Sequence, residues 1–147
     1  MPGFLRPFAL LTIALTSVAC QAIDNPDAPH YLEDFRSEVS SHEQAVYEDA
    51  QTTSDSMEAY RDYIAFLEEE LSAATSALEG EFSGSEGEAF AESQRAWEAY
   101  QEAEKAFVSS VWTPRNFGSS SAFSRLAFYA DVLRSRIELL LKYRKQF

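Results

Sequence analysis

Met57, Tyr60, Ile64, Leu67, Leu71, Ala74 and Leu78 recur at alternating steps of three and four residues without a fault. A helix places such residues on one stripe, because about 3.6 residues make a turn. A stripe sustained over this length needs matching apolar stripes on neighbouring helices, packed as in a coiled coil. The chain therefore predicts a second helix over about 56–78 that is stable only inside a bundle.

Other segments supply the partners. Leu32, Phe35, Val39, His42 and Val46 mark a first helix over about 31–49. Phe90, Trp97, Tyr100, Phe107 and Val111 mark a third over about 86–112, with Trp97, Tyr100 and Phe107 read as a buried aromatic row. Phe123, Leu126, Ala130, Leu133, Ile137 and Leu140 mark the last, from 119–121 to Lys145. The punctuation agrees with these limits. The polar run Gln51–Ser56 offers N-caps. Gly80 is read as the end of the second helix. Ser83 with Glu86, and Ser85 with Glu88, are read as capping boxes for the third. Pro114 is read as its stop. No stretch alternates as a strand does. The expected fold is all-α: an antiparallel bundle of three long helices plus a shorter N-terminal one, joined by short connections.

Residues 1–22 read as an export signal. Arg6 precedes the apolar run Phe8–Leu15, and small residues follow to Ala22. The run is too short for a transmembrane span, which needs about 20 apolar residues. Two processing routes are open. In one, Ser17-Val-Ala-Cys20 is a lipobox and Cys20 carries a lipid anchor; in the other, cleavage follows Ala22. Residues 23–30 form an extended lead-in, with Pro26 and Pro29 disfavouring helix in the residues before them. Residues 31–147 are expected to form a single helical domain. Cys20 is the only cysteine, so no disulfide supports that domain and packing alone must hold it.

The chain carries 24 acidic and 12 basic residues. That balance argues against nucleic acid, which wants a basic stripe, and favours a cationic partner. The charge is uneven. The first two helices are strongly acidic, whereas the last carries Arg125, Arg134, Arg136, Lys142, Arg144 and Lys145 against Asp131 and Glu138. Such helices are expected to sit side by side. Catalytic chemistry is not indicated. No serine occupies a nucleophile elbow, the histidines His30 and His42 have no companion ligands, and no glycine loop cradles phosphate. No catalytic residues, cofactor or metal site are expected, and the chain is not read as an enzyme.

The run Gln94-Arg95-Ala96-Trp97, then Tyr100 and Glu102-Ala103-Glu104, the turn Gly118-Ser119 and the arginine-bearing segment Arg134–Leu141 together resemble the LprI-type lysozyme-inhibitor family. The resemblance is strongest over about 67–143. It implies mainly structural roles for Gln94, Arg95, Trp97, Tyr100, Glu104, Gly118 and Arg136. It also implies an exported helical protein, periplasmic or attached to the envelope of a bacterium. Many members carry a crosslink from this helix to the last. Here Lys105 stands at the first of those positions, and no cysteine follows.

Two functions are expected in competition. One is inhibition of a cationic lysozyme by protein contact. The contacts would be Trp112, Arg115, Asn116, Phe117 and Ser119 in the loop before the last helix, aromatic and arginine side chains being common anchors. Trp112 and Phe117 equally suit a plug for the bundle end. The other is a structural or adaptor module with a different partner, self-associating through Phe66, Leu139 and Leu141, which fall beside the main stripes.

Overall fold

Thr52 opens the longest helix of the computed structural model, which describes residues 30–144. Its hydroxyl accepts from the Asp55 N–H, and the Asp55 carboxylate accepts from the Thr52 N–H at 2.9 Å. This reciprocal cap satisfies two donors that a helix start leaves free. The export-signal reading of 1–22, the processing of Cys20, the lead-in to Pro29 and the residues from Lys145 onward lie outside the described residues.

Helix α2 (Thr53–Glu81) packs along α5 (Ser121–Arg144), and these two form the central pair. Leu67, Leu78, Ile137 and Leu140 between them are fully buried. Burying one such side chain contributes roughly 1.5–3 kcal/mol. Helix α1 (Tyr31–Gln44) widens into a π-helical turn over Ala45–Asp49 and lays Phe35, Val39 and Val46 on the pair. Helix α3 (Gly84–Val111) also meets both α2 and α5, and shares no extended contact with α1. The described residues thus contain three long helices and a shorter first one, with no strand. The short α4 (Pro114–Phe117) and a 3₁₀ turn (Gly118–Ser120) join α3 to α5.

The charge pattern does what its unevenness predicts. Arg36 on α1 grips Glu138 on α5 through two bonds of 2.9 and 3.2 Å, and Arg134 reaches Glu43 at 2.7 Å. The pairs are partly exposed, so solvent screens them and each stabilises only weakly. Their main effect is to align α1 against α5. His42 stacks on Phe66 and Tyr63, at 4.5 and 5.4 Å between ring centres, as a packed side chain within an aromatic cluster.

Several expectations are corrected. The α2 helix runs through Gly80 to Glu81, and Gly84 (φ +58°) is the residue that takes left-handed geometry at the start of α3. The Ser83 side chain makes no cap bond, so the Ser83–Glu86 box does not form, and Ser85 with Glu88 already lies inside the helix. The α3 helix does end ahead of Pro114, at Val111, and Pro114 in addition opens α4, where its missing N–H costs nothing. Phe66 packs against the core and Leu141 is buried, leaving Leu139 as the exposed member of that trio. The aromatic row of α3 is not buried as a row: Tyr100 is 54% and Phe107 62% exposed, and only Trp97 packs against the core.

Candidate binding surface

The exposure of Tyr100 and Phe107 has a cause on the facing helix. Arg136 of α5 is buried, and a buried guanidinium is costly unless its donors are satisfied. Gln94 of α3 supplies the acceptor: its Oε1 takes bonds from both Nε and Nη2 of Arg136. The Gln94 amide donates in turn to the Thr75 hydroxyl of α2 at 2.8 Å. Trp97 lies beside this chain, with the guanidinium 5.7 Å from its ring centre. One helical repeat further on, Gln101 donates to the Tyr129 hydroxyl at 3.2 Å, and that hydroxyl donates to Glu68 at 2.9 Å. Burial pushes the Tyr129 phenol up to about 12 and draws the Arg136 guanidinium below its usual value.

The inward face of α3 is therefore Phe90, Gln94, Trp97, Gln101, Glu104, Val108 and Val111, which step by four and three. Phe90, Gln94, Gln101 and Val108 are buried, and Trp97, Glu104 and Val111 are half-buried. The signal was present in the sequence. The bulk of Tyr100 and Phe107 on the neighbouring stripe masks it there. Of the residues implied by the family resemblance, Gln94, Trp97 and Arg136 come together at one point. Arg95 and Tyr100 are exposed on α3, and Gly118 lies in the turn before α5.

That turn closes an exposed knuckle over 112–120. Trp112 is its root: its ring packs edge-on to Phe128 at 5.6 Å and against Phe117 at 5.7 Å. The Arg125 guanidinium donates to the Trp112 carbonyl. The Asn116 amide donates to the Val111 carbonyl at 2.8 Å, tying α4 back onto the end of α3. Gly118 has φ +64°, a region open to glycine and strained for other residues. Trp112 is thus half-buried as a plug of the bundle end. Arg115, Asn116, Phe117 and Ser119 face solvent, with Phe117 45% exposed over the Trp112 ring. Ser119 borders a hollow of about 450 Å³ facing Thr52 and Ser56. The five loop residues share one end of the molecule: Trp112 plugs it, Phe117 packs on Trp112, Asn116 braces the backbone, and Arg115 and Ser119 are exposed.

Acidic side chains surround these features. Glu86, Glu88, Glu92, Glu98 and Glu102 are all exposed along α3. Among the described residues no group of His, Cys, Asp and Glu side chains is placed to hold a metal ion. No helix there is long and apolar enough to cross a membrane.

The model of one protein family, described as lysozyme inhibitor LprI, matches residues 44–140. No curated protein and no solved structure matches the chain.

Proposed function

The chain belongs to the lysozyme inhibitor LprI family, and from that premise we propose that it is an exported bacterial envelope protein that inhibits a lysozyme-like muramidase by direct contact. The family match carries this reading. The excess of 24 acids over 12 bases supports it, because a cationic muramidase would be steered toward the acidic faces. The knuckle is the contact element: Phe117 and Arg115 project from a backbone braced by Trp112, Asn116 and Arg125. A braced loop loses little freedom on docking, which favours affinity. Inhibition here is steric, through covering or entering the enzyme's cleft, and needs no chemistry from this chain.

A lysozyme turbidity assay with the purified protein at low salt tests the reading. Clearing of the cell suspension should slow as protein is added, and slow less as salt screens the encounter. A Phe117→Ala, Arg115→Ala variant should retain its melting temperature and lose inhibition. Full lysozyme activity at large excess of protein would overturn the reading. Inhibition undiminished in the double variant would move the contact away from the knuckle.

A second reading, an envelope adaptor that self-associates, is favoured by one observation: Tyr100, Phe107 and Leu139 are exposed apolar side chains. A monomer by light scattering at high concentration would remove that support.

A further inference from the structure

The hydrogen-bonded layers of Gln94 and Gln101 hold α3 to the central pair only part of the way along its length. Beyond them two of the lining residues are small: Ser109 on α3 and Ala122 on α5. The three helices consequently leave a cleft of about 290 Å³ between the first turns of α2, the last turns of α3 and the first turns of α5. Its walls are apolar, formed by Val108, Leu126 and Phe128.

The charged residues that line the cleft run against the rest of the molecule. They are Arg61, Lys105 and Arg125, one from each helix, and among the described residues no carboxylate lines it. In a chain with twice as many acids as bases, an all-cationic lining is a local reversal of sign. Nor are these charges cancelled in place. Arg61 and Arg125 form no ion pair with a carboxylate among the described residues, and Arg125 spends a donor on the Trp112 carbonyl. Lys105 is paired at 3.0 Å with Glu102, a contact exposed to water and therefore weak, and its ammonium also sits 4.5 Å over the Tyr129 ring. Apolar walls with a few convergent charged groups are the usual make-up of a small-molecule site.

We propose that this cleft binds a small anionic amphiphile, with its carboxylate or phosphate head held by Arg61, Lys105 and Arg125 and its apolar body against Val108, Leu126 and Phe128. The acidic exterior would repel such a ligand, so binding has to come from the cleft itself and not from diffuse charge. The proposal is independent of lysozyme inhibition, since its readout needs no enzyme.

Titration calorimetry of the purified protein with sodium decanoate, below its micellar range, tests this. The expected result is one site per chain, with decanol at least about tenfold weaker, since it keeps the apolar body and loses the charge-assisted bonds. Decyl phosphate should compete with decanoate, and inorganic phosphate alone should bind at least tenfold more weakly, which separates an amphiphile site from a simple anion site. Arg61→Gln should weaken decanoate by about tenfold with an unchanged melting temperature, since Arg61 is exposed. Ser109→Phe, which fills the cleft from an exposed position, should abolish binding. The proposal fails if decanol binds as tightly as decanoate, if decyltrimethylammonium binds better, if inorganic phosphate binds as well as decyl phosphate, or if Arg61→Gln and Ser109→Phe both leave the affinity unchanged.

Discussion

Where α1 lies against α2 and α5, Phe35, Val39 and Val46 are each no more than 3% exposed. Where α3 lies against the same pair, two of its four buried side chains are glutamines, Gln94 and Gln101. Apolar contact is roughly proportional to area and indifferent to direction. A hydrogen-bonded seam is directional: Arg136 and Gln94 stabilise only when aligned, and loss of either strips the other of its buried bonds across the seam. The first flank is therefore strongly held and tolerant. The second is held more lightly and in one rotational setting, and that setting leaves Tyr100 and Phe107 outside. A single fold thus has one flank held by apolar area and one aligned by hydrogen bonds, the second leaving aromatic and acidic side chains in solvent.

The largest expected effect lies in the shared core. Leu67→Ala should cost about 4 kcal/mol, read from chemical denaturation, because Leu67 is fully buried between the helices. A loss below about 1 kcal/mol would mean that the α2–α5 pair is not the stable centre. Next comes the polar seam. Arg136→Ala should cost about 2 kcal/mol, since it strands the Gln94 carbonyl oxygen. Hydrogen exchange should then speed up in α3 before α2. Equal acceleration in both would show that the two flanks open as one unit and would break the contrast.

The ionic link between α1 and α5 is smaller and depends on pH. The hydrogen bond from Arg36 holds the Glu138 carboxyl below its ordinary value of 4.5. A carboxyl depressed on folding contributes stability above its unfolded value and loses it as pH falls through the folded one. Thermal melts should therefore drop on acidification below about pH 4.5. Glu138→Gln should flatten only a small part of that limb, because its partner Arg36 is open to solvent. An unchanged acid limb would remove the link. The smallest effect is expected where the sequence suggested one of the largest. Replacing Tyr100 and Phe107 together by serine should move stability by no more than about 0.5 kcal/mol. A loss above 2 kcal/mol would return the aromatic row to the core.

The knuckle was partly legible in the chain. Pro114 and Gly118 marked a connection between helices, and Trp112 suited both an anchor and a plug. That Pro114 begins a new helical turn, and that Asn116 bonds back to Val111, depends on where α3 happens to end. Likewise, Phe66, Leu139 and Leu141 were equivalent by their offset from the main stripe. Tertiary packing buried Leu141, half-buried Phe66 against the core and left Leu139 at the surface.

The sequence by itself determined the number and approximate extent of the long helices, the inward stripes of α1, α2 and α5, and the acidic exterior. Those properties follow from spacing within one helix and from composition, which are local. Only the tertiary structure decided how α3 is turned, because the buried charge that sets its angle lies 42 residues further along the chain, on another helix. It also decided that Arg61, Lys105 and Arg125 share one cleft. Three cations on three helices have no common register in the sequence, and only packing brings them to the same place.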